Sequence, residues 1–204
     1  MTSTPLFNSS LRDELLRMRA EDECMREELA SDGSLYEGYH PRMADVHRRN
    51  GARLLEIINE HGWTGKSLVG EDGAEAAWII AQHAISDPAL QRRCLTLIEE
   101  AERKGEIPAW QMAYLTDRIR VFEGRGQVYG LQFDWGEAGE MSPCEIEDIE
   151  NVDERRRSVG LPPLAESVRR HREGVAQSNE RPPADWQTRQ KKMEAWARSV
   201  GWRK

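Results

Sequence analysis

The sequence predicts a mainly α-helical protein: a single-domain orthogonal bundle of about six to eight helices, with one small β-hairpin near residues 127–149. Three observations predict this class. Apolar residues recur every three or four positions along successive stretches between residues 9 and 122. Serine, proline and glycine residues stand at the ends of these stretches, where helices begin and end. An alternation typical of a strand appears only later, in residues 124–135.

Composition and charge limit the function classes. The chain has 204 residues, 38% of them hydrophobic and 32% charged, which is enough for one domain with a real core. Its formal net charge of −7 disfavours binding to nucleic acid or to an anionic membrane surface. No stretch approaches the roughly 20 apolar residues that span a bilayer, and no signal-peptide pattern is present. We therefore expect a cytoplasmic protein without nucleic-acid or membrane partners.

Cysteine usage fits that expectation. Cys24, Cys94 and Cys144 are far apart, and no two of them form a CxxC pair. This argues against a disulfide framework and a zinc knuckle, and it is typical of a reducing compartment.

Five helices are predicted in the first part of the chain. The first begins after a cap at Ser9 or Ser10, and the third is apolar on nearly every side, which is typical of a central helix. The predicted ranges are 9–30, 41–60, 71–85, 88–105 and 108–122.

The pattern changes after residue 122. Residues 124–135 predict one hairpin arm and 141–149 its partner, and one or two short helices follow within 152–175. A last amphipathic helix carries six basic residues in the tail, for which a solvated face is favoured over an anion-binding arm. We expect residues 1–176 to form a helical domain and 177–204 a linker and C-terminal helix.

Two glycine-rich segments do not meet the requirements of phosphate or dinucleotide loops. In GWTGKS (62–67) the first glycine of a P-loop is replaced by Glu60, and a helix precedes it instead of a strand. In GRGQVYG the third glycine of the dinucleotide pattern is replaced by Tyr129. The sequence therefore predicts neither a P-loop nucleotide nor a dinucleotide cofactor.

The five histidines do not form a metal-binding pattern in the sequence. There is no HExxH and no pair spaced i, i+4, and Asp45 and His47 face different sides of a helix. We predict no metal and no cofactor from local patterns. A mononuclear metal built from distant residues stays open.

The segment QHA places Gln82 and His83 at the end of the most apolar helix. Burying an amide or an imidazole without partners costs about 1–3 kcal/mol each, so a network must satisfy them. One interpretation is a structural histidine that ties helices together. The other is a general base or a ligand contact, because histidine titrates near neutral pH.

The segment TDR places Asp117 and Arg118 within the fifth helix. An inward Asp117 could orient His83, and an inward Arg118 could clamp a carboxylate or phosphate group. The alternative is an internal ion pair.

The segment QVYGLQ supplies Gln127, Tyr129 and Gln132. On a strand the first two share a face, and Gln132 lies opposite unless Gly130 forms a bulge. These side chains could orient a small ligand, or they could be the solvent-facing half of an ordinary alternation.

These segments resemble an uncharacterised bacterial family known as domain of unknown function 6624. The resemblance covers about residues 10–167 and departs from the family pattern at Leu131, where threonine is usual. It implies no activity. The family pattern singles out Trp63, Ser67, Gly70, Gln82, His83, Asp117, Arg118, Gln127, Tyr129, Gly130, Gln132, Asp153, Arg156 and Gly160.

The leading hypothesis is a small-molecule site of a hydrolase or group-transfer enzyme, although whether the protein is an enzyme stays open. In it His83 transfers a proton, Asp117 orients His83 and Arg118 holds an anion. Ligand contacts come from Gln82, Gln127, Tyr129 and Gln132.

The alternative is a non-catalytic binding or interaction protein, of the adaptor or immunity type, in which the His83, Asp117 and Arg118 cluster is structural. Its partner surface, or a homodimer contact, would use the C-terminal helix with its tryptophans.

Overall fold

The computed structural model describes residues 7–178 and 180–204, and it confirms a mainly α-helical fold with one small two-stranded sheet. Eight α-helices are formed by the described residues. Their bounds are α1 (Ser9–Ser31), α2 (Pro41–His61), α3 (Lys66–His83), α4 (Pro88–Arg103), α5 (Ala109–Phe122), α6 (Val152–Ser158), α7 (Leu164–Gln177) and α8 (Trp186–Ser199). The strands are β1 (Phe133–Trp135) and β2 (Met141–Pro143).

The chain forms two compact units, residues 1–112 and 113–204. Helices α1 to α4 and the start of α5 belong to the first unit. The end of α5, the hairpin and α6 to α8 belong to the second. The division at residue 176 stays a prediction.

The starts of α1, α2 and α4 follow the capping rules, with one correction at α1. The cap of α1 is Asn8, whose side chain accepts a hydrogen bond from the Leu11 backbone N–H at 3.0 Å, rather than Ser9 or Ser10. Pro41 stands in the first turn of α2, where its missing N–H is harmless. Asp87 caps α4 in the same way as Asn8 caps α1.

Helix α3 begins five residues earlier than the periodicity indicates, because it contains a kink. Gly70 has φ 75° and ψ 169°, which only glycine adopts easily, and the regular apolar part of the helix follows it. The helix ends at His83, two residues before the predicted end, and Ala84 forms its C-terminal cap. This end places His83 on the last turn.

The core of the first unit lies where α1, α2 and α3 pack together. One buried polar contact also joins two of these helices: Asn50 on α2 donates from Nδ2 to the Met18 carbonyl of α1 at 3.0 Å. The apolar side chains buried there include Leu11, Leu15, Met18, Leu29, Met43, Val46, Leu54, Ile57, Val69 and Ile80.

The hairpin of the second unit is shorter than predicted. Strands β1 and β2 are antiparallel, with Phe133 opposite Pro143 and Trp135 opposite Met141. Residues 127–132 form a loop with one isolated bridge, from Gln127 to Ile146, instead of a strand. Gly130, at φ 69°, turns the chain within this loop.

The C-terminal helix packs within the second unit instead of projecting from it. Trp186 donates from Nε1 to the Trp135 carbonyl at 2.7 Å, and the ring of Trp202 stacks on Phe122 at 5.3 Å. No helix in the described parts of the chain is both long and apolar enough to cross a membrane.

Candidate functional site

His83 meets a buried carboxylate from a different helix. Its Nδ1 lies 2.8 Å from Oδ2 of Asp22 on α1. Asp22 comes four residues after Met18 and seven before Leu29, so it interrupts an otherwise apolar face of that helix. Helix α1, whose apolar face packs in the core, therefore also supplies the carboxylate that contacts His83.

A second histidine joins this pair from α2. His47 Nε2 lies 3.2 Å from the same Asp22 oxygen, and the rings of His47 and His83 are 5.0 Å apart. The Tyr39 hydroxyl lies 2.9 Å from the other nitrogen of His47, Nδ1, and so fixes the orientation of that ring. We call Asp22, His47 and His83 the Asp–His–His cluster.

Burial in the cluster falls from the carboxylate outward. The side chains of Asp22, His47 and His83 are 1%, 10% and 27% exposed. Burial alone would raise the pKa of Asp22, but the interactions with His47 and His83 outweigh it and hold that pKa well below its ordinary value. The carboxylate is therefore ionised at neutral pH.

Two atoms of the cluster retain unused bonding capacity. Asp22 Oδ1 and His47 Nε2 are buried without a hydrogen-bond partner among residues 7–178 and 180–204. The contact of His47 Nε2 with Asp22 is close enough for an ion pair but lacks hydrogen-bond geometry. Buried polar atoms are normally paired, so such a site calls for an explanation.

The cluster also brings together three metal-ligating side chains. One ligand atom from each of its members lies within 4.8 Å of the other two. Local spacings in the sequence indicate no metal site, because these residues are 25 and 36 positions apart along the chain. The arrangement could therefore serve two kinds of chemistry. Asp22 could orient an imidazole for proton transfer, or the three side chains could bind one metal ion.

Gln82, the predicted ligand contact next to His83, is 3% exposed. Neither its Oε1 nor its Nε2 has a hydrogen-bond partner in the described part of the chain. Its backbone carbonyl accepts a hydrogen bond from Gln91 Nε2 at 2.9 Å. The side chain is therefore a buried amide with its polar groups unsatisfied, and its role in ligand binding stays a prediction.

Asp117 has a different use from the predicted one. It belongs to the second unit, where its two oxygens accept from the backbone N–H groups of Val128, Tyr129 and Leu131 at 2.7–3.1 Å. Burial raises the pKa of Asp117, and these hydrogen bonds only partly offset it. The carboxylate that orients His83 is thus Asp22, because that of Asp117 organises a loop.

Gln127 is also occupied by the backbone. Its Nε2 donates to the carbonyls of Gln132 and Cys144, and its Oε1 accepts from the Gln132 N–H at 2.6 Å. Because the amide of Gln127 already has these partners, it stabilises the conformation of the loop instead of facing a ligand. The predicted ligand contacts of Arg118, Tyr129 and Gln132 stay predictions.

Arg156 completes this network in the second unit. It is fully buried, and its guanidinium donates to the Pro162 carbonyl at 2.6 Å and the Tyr129 carbonyl at 2.7 Å. Asp153 accepts from the Leu164 N–H at 2.7 Å, at the start of α7. Asp117, Gln127 and Arg156, which we call the loop network, thus bind mainly backbone groups and have a structural role.

Sequence reasoning found His83 but missed Asp22, His47 and Tyr39. The available signal was Asp22 itself, a charged residue in register with Leu15, Met18 and Leu29 on a buried helix face. His47 gave no comparable signal, since only the packing of α2 against α1 and α3 brings it to Asp22.

Comparison with known proteins confirms the resemblance. The chain matches the model of the family of unknown function DUF6624 over residues 9–176, and it belongs to that family. No curated protein and no solved structure matches it. The matched range includes the Asp–His–His cluster and the loop network but ends before α8.

Proposed function

We propose that the protein is a hydrolase or group-transfer enzyme acting on a small molecule, with His83 as its proton-transfer group. The observation that carries this proposal is the 2.8 Å contact between His83 Nδ1 and the buried carboxylate of Asp22. A buried carboxylate in this position fixes the tautomer and orientation of an imidazole and stabilises its protonated form.

The gradient of exposure supports the same role. Asp22 is 1% exposed and cannot meet a substrate, whereas His83 keeps 27% of its side chain exposed. The proton would therefore pass through the imidazole, at Nε2, and the carboxylate would act only through it. His83 is the catalytic residue of this proposal and Asp22 its positioning residue.

The location on the fold is also suitable. His83 stands on the last turn of α3, at a helix end, whereas Asp22 and His47 lie within α1 and α2. Packed helices hold a side chain more rigidly than a loop does, which proton transfer requires.

The experiment has two steps. A thermal-shift screen of metabolites and nucleotides finds a ligand, since one present at about 100 times its Kd adds about 2.7 kcal/mol of stability. Turnover of the hits is then measured for the wild type and for His83→Gln, Asp22→Asn and His61→Gln. His61 lies at the end of α2, outside the cluster, and serves as the control.

His83→Gln should lower kcat by about 10²- to 10⁴-fold, the usual contribution of general acid–base catalysis. Asp22→Asn should lower kcat with little change in KM, which a purely structural role would not produce. His61→Gln should behave as the wild type. Full turnover by His83→Gln, with the hit still bound, would show that the proton passes elsewhere.

A further inference from the structure

We propose that Asp22, His47 and His83 bind a single divalent first-row transition-metal ion. This inference shares its location with the proposed function; in the metal-bound form His83 Nδ1 would be a ligand, so the Asp22–His83 proton bridge of the proposed function applies to the metal-free form. Two imidazoles and one carboxylate from three different helices are the ligand set, and their donor atoms lie within 4.8 Å of one another.

The chemistry of the donors fits zinc, or iron(II), better than calcium or magnesium. Imidazole nitrogen with one carboxylate oxygen is typical of zinc and of non-haem iron centres, whereas calcium and magnesium take oxygen ligands. Three protein ligands also leave a coordination position for water, as in catalytic zinc sites.

The distances between the donor atoms require only a small adjustment. Donors placed 2.0–2.2 Å from one tetrahedral ion lie about 3.4 Å from each other. Two of the distances, 2.8 Å from Asp22 to His83 and 3.2 Å from Asp22 to His47, are already close to this value. The ion would replace the proton that His83 Nδ1 and Asp22 Oδ2 share.

The unpaired atoms supply independent support. Asp22 is almost completely buried, yet its Oδ1 has no hydrogen-bond partner in the described residues, and neither does Nε2 of His47. A cation bound by His47 Nε2 and by both oxygens of the Asp22 carboxylate would satisfy these two atoms. A structural polar cluster would be expected to satisfy them from within.

The Tyr39 hydroxyl supports His47 from the side opposite Asp22. Its Nδ1 lies 2.9 Å from the Tyr39 hydroxyl, which leaves Nε2 directed toward Asp22. Histidine ligands almost always make such a hydrogen bond through the nitrogen that does not bind the metal, because it fixes the ring. Tyr39 is thus a positioning residue of the proposed centre.

The test is metal binding by the full chain, stripped with a chelator and transferred to chelator-free buffer. Calorimetry with Zn²⁺ measures stoichiometry and affinity, and the visible absorption of Co²⁺ reports the ligand field. The wild type should bind one ion and show Co²⁺ absorption of a low-coordinate site with nitrogen ligands.

The variants separate this centre from adventitious sites. His47→Gln removes a ligand and should weaken binding by about 100-fold or more, and Tyr39→Phe, which keeps all three ligands, by about 10- to 100-fold. His61→Gln should bind as the wild type, because it lies outside the cluster. Circular dichroism identifies variants that do not fold, and Tyr39→Phe keeps the test decisive if His47→Gln is one of them.

The inference is overturned if the wild type binds no ion at 1:1 stoichiometry, or if Tyr39→Phe and His47→Gln bind as tightly as His61→Gln. Such a result leaves the proposed function standing, because proton transfer needs His83 and Asp22 but not His47. Conversely, metal binding without any effect of His83→Gln on turnover would remove the proposed function alone.

Discussion

The Asp–His–His cluster and the loop network are both buried and polar, but their partners differ. Asp117 accepts from three backbone N–H groups, and Arg156 donates to backbone carbonyls, so the loop network organises the main chain. Asp22 instead faces two imidazole side chains and keeps one oxygen unpaired. The loop network thus satisfies its polar groups with the main chain, whereas the Asp–His–His cluster retains unused bonding capacity, as the proposed ligand site requires.

The largest expected effect tests the structural half of this comparison. Asp117→Ala would leave three buried or partly buried N–H groups without their acceptor, so we expect it to lower the free energy of unfolding by about 3–5 kcal/mol. Urea denaturation followed by circular dichroism measures the change.

Asp153→Ala is the matched control, since Asp153 accepts from a single N–H group at the exposed start of α7. The free energy of unfolding of this variant should fall by only about 0.5–2 kcal/mol, the usual contribution of a helix cap. Equal losses of stability in the two variants would show that Asp117 does not organise the loop more strongly than an ordinary helix cap.

Two buried glutamines allow a comparison within the first unit. Gln91 donates to the carbonyls of Ala81 and Gln82, at 2.7 and 2.9 Å, whereas the Gln82 amide has no partner in the described residues. Gln91→Leu should therefore lose about 1–3 kcal/mol of stability, and Gln82→Leu should be neutral or gain up to about 1 kcal/mol.

These values refer to ligand-free protein in the same urea titrations. A loss from Gln82→Leu as large as that from Gln91→Leu would mean that its amide is satisfied, and would remove Gln82 from the candidate site.

The smallest expected effect is a pH dependence in the second unit. The ring of His171 stacks on Phe133 at 3.8 Å, and the partial burial of this ring, with a smaller contribution from Arg156, lowers the pKa of His171. The unfolded chain, with a histidine pKa near 6.5, therefore binds the proton first. The neutral ring therefore makes its full contribution to the free energy of unfolding above about pH 6.5. This contribution is lost as the pH falls from there through the pKa of the folded protein.

Urea midpoints at about pH 7.5 and about pH 5.5 measure this loss. His171→Phe, which keeps the stacking but cannot be protonated, should show a smaller decrease than the wild type over this interval. An unchanged decrease would assign the pH dependence to other groups.

The helices could be predicted from the sequence because apolar spacing and caps are local properties. The QHA segment likewise indicated His83, since a polar pair at the end of an apolar helix is visible in the sequence. The partner of His83 could not be found in the same way, because Asp22 lies 61 residues away and only the packing of α1 against α3 joins them.

The role of Asp117 was misassigned for a related reason. Its hydrogen-bond donors are backbone N–H groups whose positions depend on the conformation of residues 127–131, where the alternation predicted a strand. Gly130, with its positive φ, was the sign that this segment could turn around a carboxylate.

The measurement that tests the central claim most directly is the unfolding free energy of the double variant Asp22→Leu/His47→Leu in the presence of a chelator. If the Asp–His–His cluster is retained for function, replacing its buried charge and the imidazole of His47 by apolar side chains should leave stability unchanged or raise it. A loss of about 3 kcal/mol or more, comparable to that expected for Asp117→Ala, would contradict the account and make the cluster a structural network.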